Sequence, residues 1–218
     1  MLSPGNVRRH PPPVASTHPE ARQATSRHAV ALTLCLAAAA ARADTLAGTV
    51  DDPSLRRKID VVYIEKVPGA PPPAPAATTV INQRGNTYAP HLTTVLVGAT
   101  VRFESEDPEL HNVNARVGRQ MIFNNAVLPK THFDKRFDQA GIVHLTCNVH
   151  KEMNAWLLVM QNRYFVKPDK SGAFALAGVP PGVYTVRIWG EALSDEQNAK
   201  KYPVTVGAAS TPLKVASN

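Results

Sequence analysis

Cys147, His150 and Met153 stand at even spacing, C-x2-H-x2-M, at the end of an apolar run. They offer a thiolate, an imidazole and a thioether within seven residues. Such donors suit copper, and a trigonal Cys/His/His set with a long, weak Met contact is the ligand set of a blue electron-transfer site. That set needs a second imidazole. His111, in Leu110-His111-Asn112-Val113, is the candidate. The expected cofactor is one copper per chain, cycling between Cu(I) and Cu(II), with His111, Cys147 and His150 around it and Met153 along the axis.

The compartment sharpens this reading. Residues 29–41 form an Ala-rich apolar stretch too short for a comfortable membrane span. Arg22, Arg27 and His28 precede it and Ala41-Arg42-Ala43 follows, which predicts an export signal cut before Asp44 after a long N-terminal extension, residues 1–43 together. Arg8-Arg9 lacks a following apolar run, and Leu34 stands before Cys35 where a lipoprotein signal has a small residue, so neither twin-arginine export nor a lipid anchor is expected. The expected location is the periplasm, with no membrane span in the mature chain. Cys35 leaves with the signal, and Cys147 is then the lone cysteine in an oxidising compartment, where thiols usually pair. A lone thiol there is either buried and inert or used as a ligand, and its neighbours favour use.

Charge excludes other classes. The whole chain carries +7, but five of its 24 basic residues and one of its 17 acidic ones lie before Asp44, which leaves about +3. Nucleic-acid binding thereby loses its main support. C-x-x-C-H is absent, so no c-type haem is attached, and a binuclear copper centre lacks its second cysteine. No H-x-H or H-C-H occurs, so the extra histidine clusters of copper oxidases and nitrite reductases are missing and no enzyme is expected.

The elements that position these residues read as short strands. Alternation marks residues 60–65, 94–97, 101–103, 141–147, 156–159 and 184–189, punctuated by Gly, Pro, Asn and Asp. Only 192–201 has a helical look. An all-β sandwich follows. Cys147 ends a strand, with Leu145 and Val143 on its face and His144 turned away. His150 and Met153 lie on the loop that returns into Trp156, while His111, 36 residues before Cys147, is expected on a separate loop at the same end. The acidic cluster Glu104, Glu106, Asp107 and Glu109 reads as a solvated loop, or as a surface for a cationic partner.

Residues 79–160 resemble the cupredoxins, small Greek-key blue-copper sandwiches. Tyr88-Ala89-Pro90 opens the block, and residues 95–103 (VLVGATVRF) look like the family's V-x-V-x-x-G-x-x-V-x-F. His111-Asn112-Val113 resembles its H-N-V/I, Phe137 to Gly141 its F-x-x-x-G, and Cys147-His150-Met153 its short amicyanin-like loop. The resemblance implies that Asn112 ties the two ligand loops together near the thiolate, and that His150 is the electron port in an apolar patch including Val149 and Trp156. Asn148-Val149 and Ser105 depart from the usual pattern.

The flanks resemble a second family. Residues 46–50 and 61–64, then Asp169 to Leu176 (D-x-x-G-x-F-x-L) and Val179 to Val186 (V-P-P-G-x-Y-x-V), look like a carboxypeptidase regulatory-like, transthyretin-like sandwich. This implies a discontinuous domain of 44–66 plus 161–218, with a Pro/Ala linker at 67–78 and the cupredoxin block of 79–160 inserted. The alternative is that residues 46–66 add strands to the cupredoxin. The leading function is a periplasmic carrier of single electrons between redox proteins, such as a c-type cytochrome, a dehydrogenase or an oxidase. The alternative is copper binding and delivery with no shuttle role.

Overall fold

The computed structural model describes residues 44–69, 77–207 and 212–216. The expected export segment and residues 70–76 of the expected linker lie outside them. In chain order the elements are β1 (Asp44–Val50), α1 (Pro53–Arg56), β2 (Val61–Ile64), β3 (Thr79–Arg84), β4 (Thr87–Ala89), β5 (Leu92–Leu96), β6 (Ala99–Ser105) and β7 (His111–Val117). They continue with β8 (Gln120–Val127), β9 (His132–Phe137), β10 (Gly141–Thr146), β11 (Asn154–Met160), β12 (Phe165–Val166), β13 (Ala173–Val179) and β14 (Gly182–Trp189). Last come α2 (Asp195–Ala199), β15 (Lys201–Val206) and β16 (Leu213–Val215). The fold is all-β, and no described helix is long and apolar enough to cross a membrane.

The strands form four sheets, ordered β4-β3-β6-β9, β5-β11-β10-β7-β8, β12-β2-β14-β15 and β13-β1-β16. The first two draw only on residues 79–160 and enclose a core that includes Ile81, Phe103, Val113, Leu145 and Leu157. The other two draw on residues 44–64 and 165–215 and enclose a second core with Leu46, Val62, Leu176, Val186 and Ile188. Strand alternation makes each core. In β6, Ala99, Val101, Phe103 and Ser105 turn inward while their neighbours stay half-exposed.

β11 breaks that alternation, because Ala155 to Met160 carry no polar face. A strand that is apolar on both sides needs cover on both sides. Ala155, Leu157 and Val159 enter the first core. Leu158 and Met160 join Val61 of β2 and Trp189 of β14 in a third cluster, with Trp156 and Ile142 against it. The two sandwiches therefore stack, five-stranded sheet on the β2/β14 sheet. Trp156 meets Trp189 edge-on at 5.2 Å, and His144 stacks on Trp156 at 4.3 Å. At the margin, His91 Nε2 faces Glu191 Oε2 across the junction at 2.6 Å.

Two expectations about local structure need correction. His111 is not on a loop; it opens β7 and pairs with Val127 of β8. Strand geometry therefore fixes its backbone. Trp156 is not part of a patch around His150, because its side chain turns to the outer face of the sheet and is covered by Trp189. α1 was not visible as a periodic run. It is a single turn capped by the Asp52 carboxylate, which accepts from Ser54 N–H, with Pro53 at its first position.

Because Leu157 and Leu158 point into different cores, Leu157→Ala and Leu158→Ala should each cost about 2–5 kcal/mol in urea unfolding. A Leu158→Ala cost below about 1 kcal/mol would mean that the outer face of β11 is not a packed interface. Burial holds the His144 imidazole below its ordinary pKa, with nearby His91 acting in the same direction and Glu191 against it. A lowered folded pKa contributes stability that is present above the unfolded value, near 6.5, and is lost as pH falls. His144→Phe, which keeps a ring on Trp156, should lose less stability between neutral and mildly acidic pH than the wild type; an equal loss assigns that acid sensitivity elsewhere.

Candidate metal centre

The loop after β10 is closed by its own backbone. Cys147 N–H donates to Met153 O at 3.2 Å, and Met153 N–H donates to His150 O at 3.1 Å. The loop begins where β10 leaves β7 and ends where β11 starts, so two paired strands hold both of its ends. Tyr88 adds a clasp. Its buried hydroxyl lies 2.8 Å from Asn112 O and 3.1 Å from Thr146 O, spanning the residue after His111 and the residue before Cys147. Burial, reinforced by the nearby Cys147, pushes the Tyr88 phenol well above its ordinary range and keeps it a neutral donor.

His111, Cys147 and His150 converge: one donor atom from each lies within 4.8 Å of the other two. The Nδ1 atoms of His111 and His150 face each other at 3.1 Å. Nitrogens bound about 2.0 Å from one tetrahedral or trigonal ion sit close to this separation. His111 is 0% exposed, Cys147 is buried, and the His150 side chain is 18% exposed. One imidazole is thus sealed in the sandwich and the other reaches the surface. Met153, 1% exposed, comes from the same loop and packs in the first core beside Leu145 and Leu157.

Each ring is held from behind by a carboxylate. His111 Nε2 faces Asp107 Oδ2 at 2.9 Å, and His150 Nε2 faces Glu109 Oε2 at 3.2 Å. At His111 the Asp107 carboxylate accepts a hydrogen bond, so it favours the tautomer with hydrogen on Nε2 and leaves the Nδ1 lone pair toward the centre. Asp107 is itself anchored in the turn between β3 and β4. Gly85 and Asn86 both take positive φ, the signature of a two-residue type I′ hairpin between the paired Arg84 and Thr87. That turn aims two N–H groups at Asp107, at 2.8 and 3.2 Å. Burial works against the Asp107 charge, but these two bonds and His111 outweigh it and hold the carboxyl below its ordinary range.

These two carboxylates belong to the acidic cluster that reads as a solvated loop in the sequence. Glu106 does bridge the exposed Arg84, but Asp107 is an internal support of His111. A D-x3-H spacing on a loop carries no regular periodicity; the hairpin N–H groups facing Asp107 reveal its role only in three dimensions.

The donor set suits copper. Sulfur and two imidazoles give soft and borderline donors in a trigonal arrangement, which selects copper over hard cations. Asp107→Asn should lower copper affinity by roughly 10- to 100-fold while leaving the fold intact, as measured by competition with a chelator and by circular dichroism. An unchanged affinity would remove Asp107 from the support of His111.

No protein-family model matches this chain. No curated protein matches it. Solved structures do. A purple cupredoxin from Nitrosopumilus maritimus is 22% identical over 37% of this chain and 98% of its own, with a TM-score of 0.34. Amicyanin from Paracoccus versutus is 19% identical over 47% of this chain and 99% of its own, with a TM-score of 0.35. A copper-containing nitrite reductase from Thermus scotoductus is 18% identical over 46% of this chain but only 31% of its own, with a TM-score of 0.37.

Proposed function

We propose that this chain is a periplasmic type 1 copper protein that carries single electrons between redox partners. The observation that carries the reading is the convergence of His111, Cys147 and His150, with the two Nδ1 atoms turned to each other and the His111 Nε2 held by Asp107. Bound there, copper would supply a one-electron change between Cu(I) and Cu(II). The chain's own part is to hold the donors still. His111 is fixed by β7 and Asp107, Cys147 by the end of β10 and the Asn112 amide, and His150 by the closed loop and Glu109. Burial of His111, Cys147 and Met153 keeps water from the sulfur side. Met153 is the proposed weak axial donor.

His150 is the proposed electron port. Its ring is the exposed member of the set, and its chain neighbour Val149 is 52% exposed. A partner such as a c-type cytochrome, a dehydrogenase or an oxidase would meet the protein there. The β2/β14 sandwich covers the far face of the five-stranded sheet and serves as scaffold in this reading.

Delivery of copper is the second reading, and one observation disfavours it. Among the described residues Met121 is exposed, but Met153 and Met160 are buried, which leaves no cluster of exposed thioethers to hand an ion on.

Adding Cu(II) to the purified protein should produce an intense visible thiolate-to-copper band at one equivalent, reversibly bleached by reductant. Cys147→Ser should abolish it. A colourless wild type, or a band that survives in Cys147→Ser, overturns the assignment. A coloured site that loses its copper to a competing chelator within seconds would favour delivery instead.

A further inference from the structure

The open edge of the five-stranded sheet reaches the thiol through two side-chain amides. Among the described residues β8 is the outermost strand and pairs with β7 alone, and Asn124 on it is exposed. Asn124 Oδ1 accepts from Asn112 Nδ2 at 2.5 Å. Asn112 Oδ1 in turn accepts from the Asn148 backbone N–H at 2.6 Å and lies 3.4 Å from Cys147 Sγ. The amide orientations follow from donor logic. A backbone N–H only donates, so the Asn112 atom facing Asn148 is its oxygen. The NH2 group then faces Asn124, whose atom at that contact must be an acceptor.

Asn112 and Asn124 are diagonal neighbours across the ladder, since Asn112 pairs with Ala126 and Asn114 with Asn124. The contact is therefore within reach of both side chains. The terminal torsion of an Asn amide is broad and roughly two-fold. Nothing intrinsic to Asn112 keeps its oxygen rather than its NH2 beside the sulfur. Asn148 N–H selects the oxygen for that side, and the exposed acceptor on β8 holds the amide from its other end by occupying the NH2 group.

We propose that Asn124 is a positioning residue for Cys147: its side-chain oxygen locks the Asn112 carboxamide so that Asn112 Oδ1 stays bonded to Asn148 N–H beside the sulfur. The copper consequence rests on the electron-carrier reading; the lock itself does not. An amide oxygen held against the sulfur carries partial negative charge, and it favours the more positive, oxidised state of a copper–thiolate pair. Releasing it should raise the reduction potential.

The test uses the full chain as wild type, Asn124→Ala and Asn124→Asp. Asp keeps an acceptor oxygen at the same reach; Ala removes it. Amide hydrogen exchange at Asn148 is read in the metal-free protein, as a ratio to Leu145 in the strand core, so that any general loss of stability cancels. Asn124→Ala should raise that ratio by roughly three- to tenfold, the weight of one net hydrogen bond, while Asn124→Asp stays near wild type. Loaded with copper, Asn124→Ala should show a higher potential and a shifted thiolate band, whereas Asn124→Asp, whose carboxylate adds negative charge, should show no rise in potential. A wild-type exchange ratio in Asn124→Ala, or an Asn124→Asp that behaves like Ala, overturns the lock. If the wild type binds no copper, the electron-carrier reading fails while the exchange ratio still decides the role of Asn124.

Discussion

Two imidazole Nδ1 atoms 3.1 Å apart beside a buried thiol are the constraint around which the first sandwich is arranged. Lone pairs do not bond each other, and burial removes the water that would otherwise satisfy them. With a cation, all three donors have a partner. The surroundings hold the donors in place. Asp107 occupies the His111 Nε2, Glu109 stands 3.2 Å from the His150 Nε2, and the closed loop leaves Met153 inside the core.

That arrangement needs rigid neighbours, and the rigidity traces to β11. Because this strand is apolar on both faces, it serves as a shared wall between two cores. Its inner face packs around the ligand loop, and its outer face is pinned by Val61 and Trp189. The second sandwich thus packs behind the sheet that carries Cys147. It contributes no donor atom, but it backs the sheet from which Cys147 and Met153 are suspended. The His91–Glu191 pair closes the margin of the same junction, and His91 also reaches Asn154 O, next to Met153.

What the sequence disclosed follows from how local each signal is. Cys147 and His150 are legible because one short loop carries both, with no knowledge of the fold. His111 was harder, since it lies 36 residues away and the sheet order alone makes it a neighbour. Inward-facing strands such as β6 and β10 announce themselves by alternation. β8 does not, because most of an edge strand is exposed and its sequence needs no apolar face. Asp107 was hidden for a different reason: among Glu104, Glu106 and Glu109, nothing distinguishes the one carboxylate that a Gly85-Asn86 turn draws inside. Trp156 misled because proximity along the chain to His150 suggested a shared surface, whereas strand parity sends its side chain to the other face of the sheet.

Copper K-edge X-ray absorption on the loaded protein, in both oxidation states, tests the central claim most directly. The account predicts one short sulfur and two imidazole nitrogens in Cu(I) and in Cu(II) alike, with shells that barely move on oxidation. A sulfur shell that is absent, or one replaced by oxygen donors when the copper is oxidised, would contradict it.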